Sequence, residues 1–151
     1  MDNMDTTKAL VVGDEVHAMV PQKPPMVMID KIIEVTAEKA VTGLTITSDN
    51  VFFEDGCFQA PGLSENIAQT AAAQVGYLAH QKGEAPPVGF IGAIKNLKIE
   101  QLPTEGMELV TTIEIEHEVM NFTLIKGISK VGEIVMATCQ MKIFITDQEP
   151  A

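Results

Sequence analysis

One acidic residue in this sequence, Glu65, stands where a carboxylate could perform acid–base chemistry. It lies just after Pro61 and Gly62, at the start of a predicted helix of small residues, in the stretch FFEDGCFQAPGLSENIAQTAAAQVGY. A buried carboxylate could remove or supply a proton here, and unpaired N–H groups around Gly62 and Leu63 could polarise a carbonyl oxygen. The alternative interpretation is an ordinary first-turn charge, which stabilises a helix by about 0.3–1 kcal/mol.

The sequence offers few other reactive side chains. Gln69 follows the carboxylate by one helical turn and shares its face, so it could hydrogen-bond the carboxylate or a substrate. The thiol of Cys57 could in principle act as a base, but its acidic neighbours would not activate it. The alternative interpretation is that Cys57 is a small, buried apolar residue. Among the three histidines, His80 and His117 are predicted to be solvated, and only His17 could reach a site. No spacing resembles a metal centre and no phosphate-binding loop is present, so no metal and no cofactor are expected.

Composition narrows the possible partners and compartments. The net charge is −11, with ten lysines and no arginine, which argues against a nucleic acid as partner. The apolar runs end well before about 18 residues, so no membrane span is predicted. The N-terminus opens with acids and lacks the pattern of a secretory signal. Only two cysteines are present, Cys57 and Cys139, and a reducing cytoplasm is the simplest expectation.

The elements that must position Glu65 are a long helix and a set of strands. Apolar residues at 63, 67, 71, 75 and 78 form one stripe on the helix, and Gly83 is predicted to end it. Segments rich in β-branched residues predict strands at 26–35, 39–47, 88–100, 107–119, 122–131 and 133–146. The economical α+β arrangement is a curved antiparallel sheet that wraps the helix, and an alanine-rich surface helix is the alternative.

One domain is expected over residues 1–151. Residues 1–7 are polar and predicted to be disordered, and residues 8–25 are predicted to form an N-terminal arm that ends at the proline-rich PQKPP.

Several motifs, in their order, resemble the hotdog-fold 3-hydroxyacyl-(acyl carrier protein) dehydratases. Residues 21–32 follow the family's first strand motif L-P-H-x-x-P-F-L-L-V-D-x-V. Residues 65–69 correspond to its helix motif E-A-M-A-Q, and residues 89–97 correspond to Y-F-A-G-I-D-K-A-R-F. Weaker matches follow at 105–109, 125–127 and 135–137, so the likeness covers almost the whole chain.

The resemblance departs at the family's histidines. Members of the best-known branch carry G-H-F-P-G, and its His pairs with the helix Glu across a dimer interface. This chain reads GCFQAPGLSE, which puts Cys57 in place of that His and shortens the loop. Gln22 replaces the His of the L-P-H motif. The short loop without His is similar to that of the dehydratase-like proteins of aryl-polyene and related pigment clusters.

This resemblance implies an acyl-thioester-processing protein of fatty-acid or polyene biosynthesis. A 3-hydroxyacyl-thioester dehydratase, a lyase with Glu65 as its acid–base group, is the first expectation, although the usual catalytic His is missing. A thioesterase acting on acyl carrier protein or coenzyme A thioesters is one alternative, and a non-catalytic acyl-binding subunit is another. The residues expected to bind substrate are Cys57, Gly62, Leu63, Gln69, Phe90 and Gly92.

The resemblance also implies partners. The substrate is expected to arrive as an acyl carrier protein or coenzyme A thioester. A homodimer, or a higher homo-oligomer, is expected to hold the site at its interface. Lys95, Lys98 and Lys126 could form a basic rim for an acidic carrier protein, and a solvated strand face is the alternative interpretation.

Overall fold

The computed structural model describes residues 9–146. The strands and the long helix are, in chain order, β1 (Val11–Val12), β2 (Lys31–Val35), β3 (Lys39–Thr45), β4 (Phe53–Glu54), β5 (Cys57–Phe58), α1 (Ala60–Gln81), β6 (Val88–Ile99), β7 (Glu108–Glu118), β8 (Phe122–Val131) and β9 (Ile134–Thr146). Seven strands form one antiparallel sheet in the order β1-β2-β3-β7-β8-β9-β6, and β4 pairs with β5 in a separate hairpin. Within the described range, no helix is both long enough and apolar enough to cross a membrane.

Helix α1 packs against the large sheet and contacts β2, β3, β6, β7 and β8. Eleven of its 22 residues are buried, and Leu63 and Ile67 are completely enclosed in the main core. Their apolar stripe meets Ile113 of β7 and Ile125 of β8 in that core. The predicted α+β hotdog arrangement is therefore confirmed, and the alternative of an alanine-rich surface helix is wrong.

A row of buried polar side chains fixes the helix against the sheet. Asn66, Thr70 and Gln74 lie four residues apart, so they share one side of α1. Their partners are the Met28 carbonyl (2.8 Å), the Thr42 hydroxyl (2.7 Å) and the Thr36 carbonyl (3.0 Å). Because an unpaired buried polar group costs about 1–3 kcal/mol, these bonds oppose rotation of α1 about its axis.

The first predicted strand, 26–35, is too long at its start. Strand β2 begins only at Lys31. The backbone before it bonds to the helix instead, because the Gln69 side chain accepts from the Met28 N–H at 2.6 Å and donates to the Met26 carbonyl at 2.9 Å. The short hairpin β4–β5 was not predicted at all. Its turn contains Asp55 and Gly56, both with positive φ.

The N-terminal arm packs on the helix through a glycine. The arm contains strand β1 and a 3₁₀ helix over Gly13–Ala18, and its Met19 is buried. A Cβ added to Gly76 would lie 2.0 Å from the Met19 carbonyl oxygen, so only glycine permits this approach. The predicted disordered residues 1–7 lie outside the described range.

An ionic cluster ties β2 to β7 on the outer side of the sheet. Lys31 Nζ contacts Asp30 Oδ1 at 2.5 Å and Glu108 Oε2 at 2.6 Å. Burial alone would lower the pKa of Lys31, but the hydrogen bonds and charges of Asp30 and Glu108 together outweigh it and raise that pKa above 10.5. The cluster lies over Gly43, where a Cβ would meet Glu108 at 2.8 Å.

Candidate active site

A cavity of about 300 Å³ lies between the helix, strands β6, β8 and β9, and the segment that leads into β2. Its walls are mainly apolar and include Val75, Ile91, Ile125 and Ile143. Among the described residues that line it, Glu65 is the only one with a titratable side chain. The cavity therefore presents a single acid–base group beside a mainly apolar wall.

The carboxylate of Glu65 is half-buried and held by Gln69. Gln69 Nε2 donates to Glu65 Oε2 at 2.9 Å. The orientation of the Gln69 amide follows from its other bond, since the Met28 N–H can only donate and must face the amide oxygen. Within the described part of the chain, no donor bonds the other carboxylate oxygen, Oε1. The structure thus fixes one oxygen of Glu65 and leaves the other available to a ligand.

Gln69 positions Glu65 but does not line the cavity. Its side chain is completely buried, and its amide bonds the backbone of Met26 and Met28 as well as the carboxylate. Direct contact of Gln69 with a substrate, as predicted from its helical face, is not what this single chain shows. Its contacts make it a positioning residue.

The amides at the helix start are not free. The N–H groups of Gly62 and Leu63 both donate to the Gln59 carbonyl, at 2.9 and 3.2 Å. Gly62 is also packed beneath Phe58, because a Cβ at Gly62 would lie 2.6 Å from that ring. The prediction of unpaired amides around Gly62 and Leu63 is therefore wrong. Helix α1 begins at Ala60, so these two amides make its first backbone bonds, to the carbonyl of the N-cap residue Gln59.

The remaining predicted ligand residues divide between the cavity and the rest of the chain. Phe90 lines the cavity wall on β6. Gly92 does not line it, and the place where its side chain would stand is taken by the Phe144 ring, at 2.2 Å. Cys57 is half-buried in β5, and its backbone forms an isolated antiparallel β-bridge with Thr104. It does not line the cavity of its own chain.

Histidine and the second cysteine contribute nothing to this cavity. None of His17, His80 and His117 is among the described residues that line it. Burial raises the pKa of the Cys139 thiol to about 11, so this thiol stays protonated near neutral pH. Among the described residues that line the cavity, none supplies an imidazole or a thiolate as a partner for Glu65.

One polar residue of the cavity was missed. In the sequence, Gln22 is only the replacement of a family histidine, and it lies between Pro21 and Lys23 in the proline-rich PQKPP. In the structure its side chain lines the same cavity as Glu65, with its oxygen buried. The only signal in the sequence was a polar residue between proline and an apolar strand, which is too common to indicate a site.

Solved structures with the same architecture span most of this chain. The dehydratase heterocomplex ApeI:P from Xenorhabdus doucetiae superposes with a TM-score of 0.80 at 19% identity, over 88% of this chain and 91% of that one. A hypothetical thioesterase with coenzyme A from Streptococcus pneumoniae superposes with a TM-score of 0.64 at 12% identity, over 79% and 87%. At these identities the matches establish the fold.

Sequence relatives are similarly extensive. The 3-hydroxyacyl-(acyl-carrier-protein) dehydratase FabZ of Thermoanaerobacter pseudethanolicus is 27% identical over 141 residues, which are 89% of this chain and 96% of the relative. FabZ of Clostridium botulinum, strain Okra, is 29% identical over 133 residues, 86% and 87% of the two chains.

The helix against its antiparallel sheet, the carboxylate in the apolar cavity and these matches define a hotdog-fold protein of the dehydratase class. Within that class the chain belongs to the ApeP-like family, described as ApeP dehydratase, whose profile matches residues 14–150. The resemblance to the hotdog-fold 3-hydroxyacyl-(acyl carrier protein) dehydratase-like family is confirmed. Family membership supports dehydratase function in fatty-acid or polyene biosynthesis.

Proposed function

We propose that this chain dehydrates 3-hydroxyacyl thioesters and that Glu65 is its acid–base residue. The observation that carries the proposal is the cavity, where Glu65 is the only titratable side chain among the described lining residues. A mainly apolar wall suits an acyl chain, and a lone carboxylate suits a reaction that moves one proton. The full-length FabZ relatives, which are 3-hydroxyacyl-(acyl-carrier-protein) dehydratases, give further support.

In the proposed reaction, the Glu65 carboxylate removes a proton from C2 of the thioester. The electrons of that C–H bond form the C2–C3 double bond, and the C3–O bond breaks. The hydroxyl leaves as water, with the proton that Glu65 carries across from C2. The atoms balance as a 2-enoyl thioester and one water, and Glu65 returns to its starting charge. One carboxylate can serve both steps because they occur on one face of the substrate.

We further propose that a second subunit completes the site. Negative charge develops on the thioester oxygen, and the Gly62 and Leu63 amides already bond the Gln59 carbonyl. A donor for that oxygen must then come from elsewhere. Strand β6 is an edge of the sheet and exposes Phe90 and Ile94, with 55% and 44% of their surface accessible, which favours pairing with another chain.

The proposed second subunit is another copy of this chain, which gives a homodimer in the cytoplasm. The ApeI:P structure is a heterocomplex, so a different dehydratase-like subunit is the competing partner. Sedimentation of the purified chain tests the choice. A stable monomer that becomes active only with a second protein would contradict the homodimer.

The proposed substrate carrier is an acyl carrier protein, with coenzyme A as the alternative. Lys95 and Lys126 support the first choice, because both pair with Gln140 in the strand register and so stand in one row across β6, β9 and β8. Both are exposed, and strand spacing puts them about 10 Å apart. Lys98 pairs with Thr138 and lies outside this row. The pair puts positive charge on the β6 side of this row, and Glu114 of β7 is the register partner of Lys126 on its other side.

The test of function is an assay of two products, with three separable outcomes. The full chain is incubated with a 3-hydroxyacyl pantetheine thioester, and both enoyl thioester and free thiol are measured. Enoyl product without thiol is expected. Thiol release would instead establish the thioesterase, and binding without either product would establish the acyl-binding subunit.

Glu65→Gln is the decisive variant in this assay, with Glu84→Gln as its matched control on an exposed residue after the helix. Glu65→Gln is expected to abolish turnover and leave the unfolding curve unchanged, because the amide keeps the size of the side chain. Full activity in Glu65→Gln would contradict the assignment.

A further inference from the structure

The side-chain oxygen of Gln22 is a buried acceptor without a donor. Among the described residues, none donates a hydrogen bond to Gln22 Oε1, and it is the one buried side-chain polar atom of that range left unpartnered. Leaving such a group unsatisfied costs about 1–3 kcal/mol. Buried unsatisfied groups are rare in native proteins, and each that persists needs an explanation, such as a functional role or a bound water.

The unpartnered oxygen belongs to the cavity of Glu65. Gln22 and Glu65 both line it, and most of the other lining side chains are apolar. A ligand that fills the cavity therefore meets polar side chains with capacity to spare, among them the carboxylate and the Gln22 amide. Thr123 and Gln74 are the other polar side chains of the lining. Gln74 is held structurally, since its amide nitrogen donates to the carbonyls of Thr36 and Ala37.

The segment that carries Gln22 is fixed at both ends. On one side, the Met19 carbonyl rests against Gly76 of the helix. On the other side, the backbone of Met26 and Met28 is bonded to Gln69. Residues 20–25 therefore cross the helix between two anchors, and Gln22 is presented to the cavity by a backbone that both anchors restrain.

We propose that Gln22 binds the 3-hydroxyl group of the substrate through its side-chain oxygen. The hydroxyl is the one hydrogen-bond donor on the acyl part of a 3-hydroxyacyl thioester, so it can satisfy this acceptor. A saturated acyl chain and the 2-enoyl product carry no such donor and leave the oxygen unpaired. Gln22 thereby selects substrate over product and orients the leaving group toward Glu65. This inference rests on the proposed function for its choice of ligand.

Binding of unreactive ligands tests the inference separately from catalysis. The probes are pantetheine amides that carry either a 3-hydroxyacyl or a saturated acyl chain of equal length, over a series of lengths. The wild-type chain is expected to bind the 3-hydroxyacyl amide more tightly. Gln22→Met keeps the length of the side chain but removes the acceptor, and it is expected to reduce this preference by roughly tenfold.

The matched control is Gln81→Met, on an exposed glutamine at the end of α1 that does not line the cavity. It is expected to keep both the affinity for the amides and the preference for the hydroxyl. An undiminished preference in Gln22→Met, an equal loss of affinity for both amides, or no binding of either amide by the wild-type chain would each overturn the inference.

The outcomes distinguish this inference from the proposed function. If the preference for the 3-hydroxyacyl amide depends on Gln22 but the chain makes no enoyl product, the hydroxyl site is supported and the dehydratase function is contradicted. If turnover depends on Glu65 but Gln22→Met leaves the preference for the 3-hydroxyacyl amide unchanged, the dehydratase function is supported and the hydroxyl site is contradicted.

Discussion

The side-chain amide of Gln69 donates to the Glu65 carboxylate over 2.9 Å, from one turn further along the same helix. The same amide bonds the backbone that leads into β2, so the proposed acid–base group and the first long strand share one anchor. A change at this glutamine should therefore affect stability and activity together.

Gln69→Leu removes that anchor without a large change in volume. The buried Met28 N–H then loses its acceptor, and the free energy of unfolding is expected to fall by about 1–3 kcal/mol. The kcat for dehydration is expected to fall more than the substrate affinity, because the Glu65 carboxylate is no longer oriented. Urea unfolding and steady-state kinetics measure the two effects. Gln81→Leu, on an exposed residue at the end of α1, is the control, and equal effects in both variants would contradict the role of Gln69.

Gly76→Ala is expected to detach the arm or strain the helix. Its Cβ would lie 2.0 Å from the Met19 carbonyl oxygen, and backbone cannot yield as a side-chain end can. Overpacking of this kind costs about 1–3 kcal/mol, which exceeds the gain of about 1 kcal/mol that alanine brings to a helix interior. Thermal unfolding and limited proteolysis of the arm measure the loss. A rise in stability, as helix propensity alone predicts, would show that the arm does not pack here.

The Lys31 cluster predicts a loss of stability at alkaline pH. Its pKa is raised in the folded state, so its contribution is fully present below the unfolded pKa of about 10.4 and is lost as pH rises through the folded value. Urea unfolding at pH 8 and at about pH 11 measures this difference in the wild-type chain. Lys31→Met should show a smaller difference between the two pH values. Lys39→Met, which removes a more exposed and longer pair with Glu34 (3.5 Å), should behave as wild type.

The basic pair on the sheet predicts a dependence on the carrier. Lys95→Glu combined with Lys126→Glu is expected to reduce kcat/KM about tenfold for a substrate on acyl carrier protein, mainly through slower association. The same double variant should act normally on a pantetheine substrate, which has no acidic protein surface. Lys82→Glu, beyond the end of the helix, is the control. An equal loss of kcat/KM on both substrates would indicate damage to the active site. No loss on either substrate would contradict a role in docking and indicate that the lysines belong to a solvated strand face.

The main elements were predictable because their signals are local. Strand β8 was predicted at 122–131 and is observed at Phe122–Val131, since apolar alternation and a turn mark both of its ends. The helix was predicted to end before Gly83, and it ends at Gln81. Glu65 is predicted at the helix start, but α1 begins at Ala60, so Glu65 lies beyond the first turn of the helix and in the cavity wall.

The parts that could not be predicted depend on contacts between distant residues. Gln69 and Met28 are 41 positions apart in the sequence. No local pattern indicates that the Met28 N–H bonds the Gln69 side chain instead of a neighbouring strand. The buried oxygen of Gln22 is likewise a property of the packed structure. The paired amides of Gly62 and Leu63 are a different case, because they depend on where the helix begins, and the Pro61–Gly62 pair does not indicate a start at Ala60.

The polar row of Asn66, Thr70 and Gln74 has a consequence for redesign of the cavity. These bonds prevent the helix from turning, so the side of α1 that faces the cavity always presents the same alanines, Ala68 and Ala72 among them. A larger side chain at either position would take up ligand space directly, because the backbone cannot rotate to relieve it. The length of acyl chain that fits could then be altered one substitution at a time, with the rest of the architecture unchanged.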